Sequence, residues 1–227
     1  MQAGLAEFVR TVLLIVGALF PIVNPLGNVP IFLSMTPGFT PDMRTVLARK
    51  IALNGFLLLA GSILVGTHVL AFFGISLPVV QVGGGMVVIA TAWSLLNRRD
   101  DPEGKHETRA SASAADLSSR AFYPLTMPLT VGPGSISVAI AVGANRPQGV
   151  ELNWSYLPAA ILGAVLVAIT IYLSYRFAQS VARALGDTAM KVIIRLSSFI
   201  LLCIGVQIGW NGVSALLRSV LGHSGRV

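Results

Sequence analysis

The groups able to engage a ligand gather in two short stretches of an otherwise apolar chain: residues 18–30, ALFPIVNPLGNVP, and residues 121–133, AFYPLTMPLTVGP. Pro21, Pro25 and Pro30 punctuate the first, and Pro124, Pro128 and Pro133 the second. A proline within a helix has no N–H to donate, and its ring clashes with the preceding turn. Pro25 and Pro30 therefore leave the carbonyls of Pro21 and Leu26 without their helical donors, and Pro128 and Pro133 do the same to Pro124 and Leu129. Such carbonyls suit an ammonium group. A helix that restarts at the third proline, where the missing N–H is no loss, presents free N–H groups at its positive end. In this chain those belong to Ile31, Phe32, Gly134 and Ser135, and they suit a carboxylate.

The side chains around the prolines are small and neutral. Asn24, Asn28, Thr126 and Thr130 supply hydrogen-bonding groups, while Gly27, Gly132 and Gly134 let a ligand approach the backbone closely. With Pro25 and Ser135 they make up the candidate substrate-binding set. For each Asn or Thr, helix capping or a structural bond is an equal alternative to substrate contact. An anion pole and a cation pole brought together in one small site fit a zwitterion.

The elements that position these stretches are those of a membrane protein, in which irregular backbone survives only if it is buried in protein or lines a wet cavity. Hydrophobic residues make up 54% of the chain and charged residues 11%, against about 25% in a soluble domain, and the mean hydropathy is +0.78. Six apolar stretches approach the ~20 residues that span a bilayer: residues 8–35, 51–73, 76–96, 122–142, 157–175 and 192–217. The first reads as a retained span, because Pro-Ile-Val-Asn-Pro stands where a signal peptide would carry small residues for cleavage. Twelve of the 16 Lys and Arg fall in the loops after the first, third and fifth stretches. That asymmetry places those loops in the cytoplasm and both termini outside. It also accounts for the formal charge of +7 without a nucleic-acid partner.

The prolines of the two stretches match at one constant offset, as do Ala18, Leu26 and Ser34 with Ala121, Leu129 and Ser137. The fold expected is all-α: six transmembrane helices as two three-helix repeats, residues 1–97 and 121–227, joined by a polar cytoplasmic linker, residues 98–120. Three spans per unit invert the second copy, and the first and fourth helices are expected to break at their Pro/Gly motifs. Matched interruptions in inverted halves mark a transporter's binding site. The paired segments NPLGNVPIFLSMT and PLTMPLTVGPGSIS resemble those of the MarC family of bacterial and archaeal inner-membrane proteins, and the likeness covers essentially the whole chain. The resemblance implies six spans in two inverted repeats and a relation to transporters of glycine and alanine. It also implies a multi-pass protein of the bacterial inner membrane. Met127, Thr130 and Val131 stand where the first half has Asn24, Gly27 and Asn28, so the site is expected to be asymmetric.

Other chemistries lack their residues. All nine acidic side chains lie in loops or at span ends, leaving no buried carboxylate relay. No nucleophile with a base and no metal-ligand cluster lies within the spans, so an enzyme is not expected, nor is a cofactor. There is no Walker A sequence. The expectation is a secondary transporter of a small zwitterionic solute, such as glycine or alanine, working by alternating access. A channel-like permeability protein and a drug or metabolite exporter are the alternatives. The partners expected are the solute and the lipid bilayer; Gly83-Gly84-Gly85 would serve packing within one chain or between the copies of a homo-oligomer.

Overall fold

The computed structural model describes residues 2–97, 119–145 and 156–224, and among these the chain is helical with no strand. Most of the linker expected at 98–120 lies outside the described residues.

Helix α1, Gln2–Val23, ends where Pro25 withholds its N–H and Asn24 turns to a positive φ of 45°. After a tight turn, α2 runs Val29–Met35 with Pro30 in its first turn. Helix α3, Pro41–Phe72, is started by Thr40, whose hydroxyl accepts the Met43 N–H at 3.3 Å, with Asp42 favourably placed at the positive end. It is stopped by Gly74 at φ 65°, with the Ile75 N–H on the Leu70 carbonyl and the Gly74 N–H on that of Ala71. These two bonds make a Schellman motif, for which a glycine is the natural residue. Helix α4, Leu77–Leu96, follows at once.

Segment α5, Ala121–Thr130, is irregular, with extended backbone at Tyr123 and Met127 and cis peptide bonds before Pro124 and Pro128. Helix α6, Pro133–Ala144, leaves it at a bend of 67°. Helix α7 is Tyr156–Arg176, and α8, Ala178–Ser224, swivels at Gly186, where φ is 71°. Among the described residues, five helical segments are long and apolar enough to cross a membrane: Gly4–Val23, Pro41–Phe72, Leu77–Leu96, Tyr156–Arg176 and Thr188–Leu221, and the count is six where the bent pair α5–α6 is taken as one span. The span expected over residues 8–35 divides differently, since α1 reaches crossing length before the turn and α2 is a separate short helix.

The interior is held by α3, whose buried Leu47, Ile51, Gly55, Leu59 and Ile63 recur every four residues. This seam packs on Ala160, Ala164, Val167, Ile171 and Tyr175 of α7. Leu53, Leu57, Met86, Trp93, Phe199 and Trp210 face outward and exposed, as expected of a bundle whose solvent is lipid. Arg44 of α3 fixes the far end of α2, donating from Nη2 to the Thr36 carbonyl at 2.9 Å and from Nη1 to Gln179 of α8 at 3.2 Å.

Successive helical residues point about 100° apart, so the three consecutive glycines of α4 meet different surroundings. Gly83 faces open space, and Gly84 lies against the Ser137 side chain of α6. Gly85 lies against the backbone of α8, where a Cβ would sit 2.6 Å from the Gly209 nitrogen and 2.8 Å from the Gly205 carbonyl oxygen. Gly212 repeats this contact against the Pro78 carbonyl at 2.6 Å. The α4–α8 pair is thus a backbone-to-backbone seam of the small-residue kind. Gly85→Ala is expected to destabilise by about 1–3 kcal/mol through overpacking. Gly83→Ala should be neutral or stabilising by up to about 1 kcal/mol through helix propensity. Thermal unfolding in detergent measures both, and equal shifts would refute the seam.

Candidate functional site

The turn at residues 24–28 is built from redirected backbone donors. In a continuous helix the Val23 carbonyl would accept the Gly27 N–H, but that N–H goes to the Asn24 side-chain oxygen at 3.2 Å. The Asn28 side chain supplies the replacement, its Nδ2 donating to the Val23 carbonyl at 3.0 Å. The Leu26 carbonyl, which Pro30 leaves without a helical donor, takes the Val29 N–H at 3.2 Å.

The second interruption solves the same problem partly by borrowing. Pro133 leaves the Leu129 carbonyl without a helical donor, and the second Nδ2 hydrogen of Asn28 reaches it at 3.2 Å. One amide therefore serves a carbonyl from each stretch. Within α5, threonine hydroxyls satisfy carbonyls five residues back: Thr126 donates to Ala121 and Thr130 to Leu125, both at 2.6 Å. Beyond it Gly132 is extended, with φ −93° and ψ 178°, and its carbonyl accepts the Ile136 N–H at 3.1 Å and the Ser135 hydroxyl at 2.9 Å.

Between the two interruptions lies a cavity of about 320 Å³. Six of the nine residues picked out by the sequence line it: Asn24, Asn28, Thr130, Gly132, Gly134 and Ser135. The other three do not. Thr126 is fully buried with its hydroxyl on Ala121, Gly27 packs beneath the Asn24 side chain, and Pro25 is buried.

The expectation of four free N–H groups also needs correction. The Phe32 N–H donates to the Asn28 carbonyl at 2.8 Å, and Ile31 and Phe32 are buried in the core away from the cavity. With only seven residues, α2 turns its face inward for packing. Gly134 and Ser135, in the first turn of α6, do reach the cavity, where first-turn N–H groups have no intrahelical partner.

The opposite wall was not singled out from the sequence. Val87, Val88, Thr91 and Leu95 of α4, Met35 of α2 and Leu201 of α8 supply it. Only Thr91 differs in type from the lipid-facing residues of the same helices, and its hydroxyl is turned to the Val87 carbonyl at 2.8 Å. Val88 packs so closely on Gly134 that a Cβ there would collide with its side chain. Among the described residues the lining contains no ionisable and no aromatic side chain. A solute held here meets amides, hydroxyls and the positive end of α6 on one side and aliphatic carbon on the other.

Behind the polar wall stands Tyr175 of α7, fully buried. Its ring stacks on Phe32, with centroids 4.5 Å apart and planes 3° from parallel, and its hydroxyl lies 2.8 Å from Thr130 Oγ1. Asn28→Ala removes both bonds of the shared amide and leaves buried carbonyls without donors, at an expected cost of about 1–3 kcal/mol. Leu26→Ala, at a half-exposed neighbour, should stay within about 0.5 kcal/mol. Unfolding of both variants in detergent checks this, and matching stabilities would refute the linking role of Asn28.

No solved structure matches the chain. The profile described as "MarC family integral membrane protein" matches residues 9–217. UPF0056 membrane protein YvbG of Bacillus subtilis is 32% identical over 208 residues, covering 89% of this chain and 95% of the relative. UPF0056 membrane protein MJ1677 of Methanocaldococcus jannaschii is 29% identical, covering 88% and 94%. UPF0056 inner membrane protein MarC of Escherichia coli is also 29% identical, covering 88% and 93%. With paired proline interruptions, crossing-length helices and a match along nearly its whole length, the chain belongs to the MarC family of integral membrane proteins.

Proposed function

We propose that this protein is a secondary transporter of a small zwitterionic solute, such as glycine or alanine, working by alternating access around two interrupted spans. The observation that carries the reading is the cavity of about 320 Å³ where the two interruptions meet, lined on one side by neutral polar groups and, among the described residues, free of charged side chains. Its volume sits at the lower end of small-molecule sites. That size and the absence of aromatic lining weigh against a polyspecific drug exporter.

The pattern of helix pairing supports a two-fold repeat, which an odd number of spans per unit would invert. Exchanging the first three-helix unit with the second turns the α1–α7 contact into the contact of α3 with α5 and α6, and turns α4–α6 into α8 with α2 and α1. The α3–α7 and α4–α8 contacts map onto themselves. All of these pairs occur, as a two-fold relation requires. The basic loops put both termini outside an inner bacterial membrane. In that orientation Met35, Leu95 and Pro124, at the ends of α2 and α4 and the start of α5, lie on the cytoplasmic side of the lining.

Counterflow of radiolabelled alanine in liposomes holding the purified protein tests the proposal. Saturable exchange is expected, and Thr91→Trp, which fills the cavity from its aliphatic wall, should lower it at least about tenfold. Val206→Ala, on an exposed position of α8, should leave exchange unchanged. Flux that neither saturates nor shows counterflow would favour the pore. A folded protein that exchanges neither alanine nor glycine would sink the substrate class.

A further inference from the structure

We infer that Tyr175 is the positioning residue of the polar wall, holding both interruptions in register from behind the cavity without touching the solute. The inference rests on the transporter reading for its kinetic consequence, but its structural content is independent of it.

Proton directions follow from the bonds themselves. Thr130 has one hydroxyl hydrogen, directed at the Leu125 carbonyl at 2.6 Å. The 2.8 Å contact between Thr130 and Tyr175 must then be donated by the tyrosine. Tyr175 thus fixes the orientation of Thr130, a cavity-lining side chain of the second interruption. Through its stacked ring it fixes Phe32, one turn beyond Asn28. A single rigid side chain on α7, the helix that packs along the α3 seam, therefore touches both α2, which follows the first interruption, and Thr130 of the second.

The position is a demanding one. A tyrosine hydroxyl buried in an apolar core needs a partner, so a phenylalanine would serve equally for packing and better for solvation. The hydroxyl has its use in Thr130. Thr130 and Asn28 are lining residues whose polar atoms are tied outside their own stretch, Thr130 to α7 and Asn28 to the Leu129 carbonyl. If the tyrosine tie is lost, the solute must order the wall itself, which weakens its binding without slowing the movement of the loaded carrier.

The test uses the full chain with Cys203, its single and exposed cysteine, replaced by serine. Spin labels at the exposed positions Leu26 and Phe122 report the distance between the interruptions without any solute. Tyr175→Phe keeps the ring and the stack and removes only the hydroxyl. It is expected to broaden the distance distribution. In alanine exchange it should raise KM about fivefold, the net worth of one hydrogen bond, at unchanged maximal rate per folded protein. Thr130→Val should act in the same direction, and the double variant should be no worse than the worse single one, because one shared interaction is lost only once. An unchanged distance distribution overturns the inference, and so does an unmoved KM in a protein that exchanges alanine. If the parent protein exchanges no amino acid, the transporter reading fails and the distance distribution alone decides the role of Tyr175.

Discussion

The architecture of the site depends on where the Leu129 carbonyl finds its hydrogen. Pro133 withholds the N–H that a continuous helix would supply, and inside a membrane no bulk water replaces it, so the unpaired group would cost several kcal/mol. Asn28 supplies the bond from the other half of the chain at 3.2 Å while also serving the Val23 carbonyl at 3.0 Å. The two interruptions are therefore not independent defects that happen to lie close together. Each is tolerable because one amide bridges them, and the cavity is the space left around that bridge.

This arrangement divides the molecule into parts of different stiffness. The α4–α8 seam brings backbone to within 2.6–2.8 Å of where a Cβ would sit, and the α3–α7 seam interlocks branched side chains with glycine and alanine. Neither has room to shear without a collision. The segments around the cavity are held by one or two hydrogen bonds at each of the Asn24, Asn28, Thr126 and Thr130 side chains. Each such bond has a small net worth. Rearrangement during a transport cycle would thus fall on the interruptions and leave the seams intact.

Much of this was legible in the residues. The apolar stretches predict the long helices, and the third prolines predict the starts of α2 and α6 within one residue. Six of nine candidate residues line the cavity because proline and glycine at repeated spacing mark irregular backbone whatever the tertiary fold. The rest was hidden for physical reasons. Val87, Val88 and Leu95 are chemically identical to side chains facing lipid, and only the packing of α4 against α6 turns them inward. Tyr175 closes an apolar run and looks like an interfacial aromatic, and only the return of α2 beneath it buries its ring. Phe32 was expected to offer a free N–H, but the Asn28 carbonyl is within reach once the turn folds.

The asymmetry between the halves then acquires a physical meaning. Asn28 occupies the repeat position that Val131 holds in the second half, and a valine there could not return the bridging bond. The second half satisfies its Ala121 and Leu125 carbonyls with Thr126 and Thr130, whose hydroxyls reach back five residues along α5. Its Leu129 carbonyl still depends on Asn28, so the first interruption lends a donor and the second borrows one. The open α6 start at Gly134 and Ser135 faces the cavity, while the corresponding α2 start is consumed by packing and by the Phe32 bond. Any positive helix end available to a carboxylate comes from the second half alone, and the neutral amide that can orient the rest of a solute comes from the first. The two stretches thus bring different groups to one cavity.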